Sequence, residues 1–373
     1  MTDNPLISVL IPSYNHAAFI EAAVNSVLAQ TYRNIQIVIV DDASSDASPQ
    51  LIRSFGDERI VFRLLAANVG ACEAMNIGIS ICEGDFIAVC NSDDLWIPEK
   101  LEQQIKRFRG SKNLGAVFSD VEWIDDFGRP LTRKQASAFH DVFRQANRSR
   151  FAWMKDLIEK GNSLCHPSIL IRREVYDRVG TYNNFYRQLP DLDMWLRVLQ
   201  HYDIFIMPEK LVHFRIHDSN TSRPSPTTSN RSINEHRLLL RSFLRDISPE
   251  NFYAAFGFTS LAPRDDANSL KYEIAQYLLN HRGSVVFEGM FNQLGTELLL
   301  ELPPREIVER GMSAHAFHQF VGRNSAWIGT SGSSGDEYAS AFGQRLTPTV
   351  AETRTVDLVK TVIRRVRSRL KAR

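Results

Sequence analysis

Acids and amides that follow directly on short apolar runs carry the first legible chemistry in this 373-residue chain. Asn91-Ser92-Asp93-Asp94 comes straight after Phe86-Ile87-Ala88-Val89-Cys90. An ionised carboxylate without a partner is costly to bury, so these acids belong at a strand end and not inside a core. Asp93 there can ligate Mg²⁺ or Mn²⁺ shared with a diphosphate, since hard cations prefer oxygen; the same residues also suit a solvated turn that caps the helix near Pro98. Asp41-Asp42 is the same feature one strand earlier, either a helix cap or an acceptor for an imide N–H or a ribose hydroxyl. Pro12-Ser13-Tyr14-Asn15 offers a fixed backbone, an aromatic face and an amide. In Asp191-Leu192-Asp193-Met194-Trp195-Leu196-Arg197, Asp191 reads as a macrodipole-favoured first-turn residue or as a general base. His213, Arg215 and His217 can meet phosphate oxygens or serve the fold.

The elements that must position these groups alternate regularly. Leu6–Ile11, Ile35–Val40, Ile60–Leu65 and Phe86–Cys90 are short, branched apolar runs of the kind expected for buried parallel strands. Helical patterns lie between them, with Phe19, Ile20, Ala23, Val24, Val27 and Leu28 on one face, a second helix from about Ser48 to Phe55 and a third over Ala71–Ile81. This order implies a parallel sheet covered by helices, with ligands bound beyond the carboxyl ends of the strands. Pro12–Asn15, Asp41-Asp42, Asn68–Gly70 and Asn91–Asp94 all sit at that end, so four distant clusters converge on one crevice.

After Asp94 the pattern predicts a helix over Pro98–Phe108, strands near Ala116–Val121 and Ser168–Ile171, and a helix containing Met194–Leu199. The tract from Asp218 to Ser232 reads as a loop or boundary. Helices follow over Glu235–Leu244 and Leu270–Leu279, and Gly329–Gly335 reads as a flexible linker. The expected organisation is a catalytic unit over 1–225, a helical extension over 226–328, a linker over 329–352 and a basic amphipathic helix over 353–373.

With 44 Lys+Arg against 43 Asp+Glu, the formal net charge is +1, which argues against a uniformly basic nucleic-acid binder. The eight basic residues and one acid of 353–373 give +7, which leaves −6 for residues 1–352. A basic tail with Val356, Val359, Val362, Ile363, Val366 and Leu370 at helical spacing suits an anionic membrane surface or a protein groove. Four Cys without a CxxC pair signal neither a zinc site nor a disulfide framework. No apolar run reaches membrane-spanning length, and Met1–Pro5 lacks a basic n-region. The expectation is a cytoplasmic chain, peripheral at the inner face of the plasma membrane if the tail docks there.

Taken in order, these segments resemble the family-2 glycosyltransferases, inverting enzymes with the GT-A fold. The matching pieces are Ser8–Asn15, Val40–Asp46, Asn68-Val69-Gly70 with Asn76-Ile77-Gly78, Gly84–Ile87 leading to Ser92-Asp93-Asp94, and Asp191–Arg197. The resemblance spans residues 5–220 and implies a Rossmann-like, mostly parallel α/β sheet with a mainly helical C-terminal extension. It places Pro12, Tyr14 and Asp42 around the base of a nucleotide sugar, UDP- or dTDP-linked, with Asp42 accepting from the imide. Asn15, Asn68, Gly70, Asn76, Asn91 and Ser92 are assigned to the same donor, Asp93 to the Mn²⁺ or Mg²⁺ ion, and Asp191 to the base that deprotonates a glycan or lipid-linked acceptor. His217 is a candidate phosphate contact. The sequence departs from the family pattern at Asn91, where an acid is usual, and at Pro190, where an acid usually precedes the base. The implied activity is metal-dependent sugar transfer in surface polysaccharide synthesis. Rival readings are a metal-dependent nucleotidyltransferase and an inactive sugar-nucleotide-binding scaffold.

Overall fold

The computed structural model describes residues 4–136, 140–218, 220, 225–257, 266–281 and 285–323. The linker and basic helix expected over 329–373 lie outside the described residues.

The first half alternates as expected: β1 (Ile7–Ser13), α1 (Ile20–Leu28), β2 (Ile35–Asp41), α2 (Ser48–Ser54), β3 (Ile60–Leu64), α3 (Ala71–Ile81) and β4 (Phe86–Val89). There follow β5 (Leu95–Trp96), α4 (Lys100–Arg107), β6 (Leu114–Ile124), α5 (Arg150–Lys160), β7 (Leu170–Arg172), α6 (Arg173–Val179), α7 (Pro190–Leu199) and β8 (Asp203–Arg215). The eight strands form one sheet in the order β3-β2-β1-β4-β7-β6-β8-β5. β3, β2, β1 and β4 pair in parallel, as do β6 and β8, whereas β7 runs antiparallel to both neighbours and β5 antiparallel to β8.

β1 is buried on both faces. Val9 and Ile11 enter one apolar cluster with Val24, Ile37 and Leu101, and Leu10 enters the other with Val38, Trp153 and Trp195. Two buried faces explain why β1, β2 and β4 read as unbroken apolar runs, whereas β3, expected to be buried, is the edge strand and is partly exposed, with Val61 and Leu64 facing solvent. Gly84, two residues before β4, is there for a packing reason, because a Cβ would lie 2.5 Å from the backbone nitrogen of Ser8 and 2.8 Å from the carbonyl oxygen of Leu6. Neither neighbour is a side chain that can swing aside.

The tract expected as a loop over 218–232 is already helical from Pro226. α8 (Pro226–Asp246) starts there, with the Ser225 hydroxyl accepting the N–H of Thr228 and Pro226 at the first helical position. Serine and proline, read as breakers, are here the chemistry of a helix start. α9 (Pro249–Phe256), α10 (Ala267–Asn280), α11 (Val285–Leu300), α12 (Pro304–Glu309) and α13 (Ala314–Arg323) complete the described chain. Leu239, Phe243, Phe252, Leu278 and Phe291 from these helices share one apolar cluster with Leu10 and Trp195. The extension is therefore continuous with the core under the sheet. No described helix is long and apolar enough to cross a membrane.

Candidate functional site

The loops after β1, β2 and β4 are sewn together at the carboxyl end of the sheet. Asn15 takes a left-handed conformation (φ 53°), which asparagine tolerates better than most residues. Its N–H donates to Ser44 Oγ at 2.8 Å and its side-chain oxygen accepts the N–H of Ser45 at 2.8 Å. The N–H of His16 donates to Ser48 Oγ, and that of Ala17 to Asp46. Asp41 accepts from the Ser13 and Ser44 hydroxyls and from the Ser44 N–H. Pro12 lies one residue before the end of β1, opposite Val40, and Tyr14 stands just beyond the strand, about half exposed.

Asp42 anchors the next loop, because its two carboxylate oxygens accept the N–H groups of Val69 (2.7 Å) and Gly70 (2.9 Å). Asn68 donates to the carbonyl of Asp42, and Gly70, at φ 91°, starts α3 from a conformation that suits glycine. These three candidate donor-binding residues form one interlocked unit.

After β4 the four polar residues divide their tasks. Asp94 is buried and accepts the N–H of Arg215 at 2.8 Å and the amide of Asn91 at 3.0 Å. Burial, reinforced by the charge of Asp93, holds its carboxyl well above the usual carboxylate range. Arg215, read as a phosphate contact, instead turns its guanidinium onto the carbonyls of Asp93, Asp125 and Asp126, where it ties β8 to the β4 loop. His213 lies within β8, paired with Leu95.

Asp93 faces two imidazoles. His217 Nε2 lies 2.9 Å from its Oδ2, and the amide of Asn220 lies 3.4 Å from the same oxygen. Ser92 Oγ holds the ring of His16 at Nδ1, 2.7 Å away, and the two imidazole rings meet edge to face. His16, Asp93 and His217 each present a ligand atom, all within 4.8 Å of one another. Three ligands at about 2.1 Å from one ion lie within such a span, so the donors fit a divalent cation. Burial is the main force lowering the basicity of His16, favouring the neutral form that metals bind. His217 thus stands beside the expected metal ligand, which the phosphate assignment did not anticipate.

Asp191 occupies the first turn of α7. Its Oδ1 accepts the N–H of Leu192 at 2.8 Å, and its Oδ2 accepts the Asn162 amide at 2.6 Å. Desolvation pushes its carboxyl up to about 6, against hydrogen bonds that lower it. Pro190 sits at the helix start, where a missing N–H costs nothing. The site continues to Asp191 through α3. Cys72 donates to the carbonyl of Tyr186 and lies within electrostatic reach of Asp191, two residues after the Gly70 that binds Asp42. Asn76 does something other than expected. Its amide nitrogen donates to Tyr182 and Asn184, and its oxygen accepts the N–H of Tyr182, so it clamps the loop before α7 and has no spare donor for a nucleotide sugar.

The family model for glycosyl transferase family 2 matches residues 8–180. The chain is 31% identical over 221 residues to TuaG of Bacillus subtilis, named for teichuronic acid biosynthesis, covering 58% of this chain and 82% of that one. The chain belongs to glycosyl transferase family 2. An uncharacterized glycosyltransferase of Rickettsia prowazekii is 28% identical over 307 residues, 80% of this chain and 92% of the relative, so the likeness runs on into the helical extension. Staphylococcus aureus TarS 1–349, solved with UDP-GlcNAc, superposes with a TM-score of 0.52 at 14% identity over 90% of each chain, which shows the GT-A fold.

His16, Asn162, Asn220 and Glu235 of this glycosyltransferase were not singled out from the sequence. His16 carried a faint signal, its place directly after Pro12–Asn15. Asn162, Asn220 and Glu235 carried none, since nothing along the chain shows which carboxylate or backbone each amide or acid will meet.

Proposed function

We propose that this glycosyltransferase transfers a sugar from a nucleoside diphosphate sugar to an acceptor hydroxyl with inversion at the anomeric carbon. The observation that carries this reading is that the chain holds both a desolvated carboxylate at about 6, Asp191, and the His16, Asp93 and His217 donor set. A base whose pKa lies near the working pH is both deprotonated and able to take a proton. Asp191, aimed by Asn162, accepts the acceptor's hydroxyl proton while that oxygen attacks the anomeric carbon and the nucleoside diphosphate departs. His16, Asp93 and His217 would hold a divalent cation, which supplies charge stabilisation for the leaving diphosphate. Two imidazoles beside one carboxylate suit Mn²⁺ better than Mg²⁺. The loop that Asp42 fastens at Val69 and Gly70 borders the base, with Pro12 and Tyr14 at its rim, and Asn15, Asn68, Gly70, Asn91 and Ser92 shape the donor site around it.

The UDP-GlcNAc complex of TarS supports a UDP-linked donor, and the name of TuaG supports a role in glycan synthesis; in this reading the acceptor is a glycan or a lipid-linked glycan. Residues 1–225 form the catalytic unit in this reading, and the basic segment 353–373 brings it to an anionic membrane surface. A thermal-shift panel of UDP-, GDP- and dTDP-glucose with and without Mn²⁺, followed by the anomeric configuration of the product by NMR, tests the proposal. A retained configuration, or release of nucleoside monophosphate and pyrophosphate, overturns it.

A further inference from the structure

The carboxylate of Glu235, on α8, accepts three successive backbone N–H groups, from Arg187 (2.9 Å), Gln188 (2.7 Å) and Leu189 (3.0 Å). It is 6% exposed. These are the last residues before α7. The cap residue of that helix, Leu189, has no side-chain acceptor, and the next residue, Pro190, has no N–H. Helix starts leave backbone donors that need acceptors, and here the acceptor comes from a helix 46 residues further on. Asn76 holds the opposite end of the same loop at Tyr182. A segment fixed at both ends thus delivers Asp191.

We propose that Glu235 is a positioning residue for sugar transfer, through which the helical extension takes part in the reaction. The inference rests on the reading of Asp191 as the base. Glu235 acts in two ways. Its three hydrogen bonds set the direction from which the first turn of α7 leaves the loop, and so the aim of the Asp191 carboxylate. Its negative charge also opposes ionisation of Asp191, working against the positive end of α7. The other ionisable neighbours are Cys72 on α3, Tyr182, which bonds Tyr176 of α6 and His166, and Asp193, ion-paired with Arg197 on α7 itself. Asn162, after α5, faces Asp191 as a neutral amide.

The test compares full-length Glu235→Gln, Glu235→Asp and Asp191→Asn with the wild type. Release of nucleoside diphosphate from UDP-, GDP- and dTDP-glucose with Mn²⁺ is followed across pH, and amide hydrogen exchange is read over the peptide before α7. In Glu235→Gln, kcat is expected to fall roughly 10- to 100-fold, as for a misaimed catalytic group, with the donor KM within about twofold. Its acidic limb moves to lower pH, and the N–H groups of 187–189 exchange faster. Glu235→Asp keeps the charge on a shorter stem, so it loses kcat while the limb stays in place. Wild-type kcat and limb in Glu235→Gln, or wild-type kcat in Glu235→Asp should the glutamine variant not fold, overturn the inference. If Asp191→Asn is inactive in that case, only the role of Glu235 fails. Turnover by Asp191→Asn removes the base and the inference together.

Discussion

Replacing Asp191 by asparagine should produce a protein that is more stable and inactive, and both effects follow from the same desolvation. The carboxyl of Asp191 is held at about 6 against an ordinary 3.8. The folded state therefore binds the Asp191 proton more tightly than the unfolded chain does, and folding stability falls as pH rises through the window from 3.8 to about 6. Two units at about 1.4 kcal/mol each would cost about 3 kcal/mol above that window, and partial exposure to solvent reduces this to about 2 kcal/mol. Asparagine has no charge to desolvate, and its oxygen can still accept the N–H of Leu192, but its NH2 meets the Asn162 amide donor to donor, which takes about 1 kcal/mol from the gain. Urea denaturation at neutral pH should show a net gain of about 1 kcal/mol that is lost as pH falls toward the ordinary carboxylate pKa. Transfer should fall by about 10²- to 10⁴-fold, the usual contribution of a general base, while donor affinity by calorimetry stays the same. In the wild type, kcat/KM should drop about tenfold per pH unit below about 6. Undiminished transfer by the variant refutes the role of Asp191, and a variant less stable than the wild type at neutral pH refutes the desolvation account.

Other expectations concern the cation, the core and the sheet. Asp93→Ala should abolish Mn²⁺ binding seen by calorimetry in the absence of nucleotide, and His16→Ala or His217→Ala should weaken it by about 10- to 100-fold or more; unchanged affinity in all three dismisses the cluster as a metal site. Lys100 is wholly buried against Trp96 and Gln104, and burial pulls its ammonium down to about 7. Between about 7 and 10.5 the unfolded chain binds the extra proton, so this residue's contribution makes stability rise with pH. Lys100→Met should raise the urea midpoint at neutral pH by the equivalent of about 1–3 kcal/mol, less at higher pH, since the charge no longer has to be desolvated. A lower midpoint would mean that the contacts with Trp96 and Gln104 outweigh that cost. Gly84→Ala should cost about 3 kcal/mol or more and lower the soluble yield, because the new Cβ would meet backbone on two sides.

The parallel half of the sheet was legible because β1, β2 and β4 are buried on both faces and so spell unbroken apolar runs, with every polar cluster that follows them at the same end. β8 was not legible. Its sequence places Pro208, Glu209 and Lys210 mid-strand, and its pairing with β6 slips at Asp120, so neither alternation nor a continuous apolar run marks it. α8 was partly hidden because Ser225 and Pro226 look like a loop until the helix they start is seen.

Residue type and local order were enough to place Asp42 and Asp93 at strand ends and Asp191 at a helix start, because a carboxylate's solvation and a helix's dipole act over a few residues. Partnership was decided only in three dimensions. Ser92 is 76 residues from the His16 it orients, and Asp93 is 124 from His217. Asn76 turned out to hold a loop, and Glu235 to hold the start of the helix that carries Asp191. Hydrogen bonds and metal donors are satisfied at about 3 Å in space whatever the distance along the chain, so the sequence names the groups able to do the chemistry, and the packing of α3, α7 and α8 on the sheet decides which of them meet.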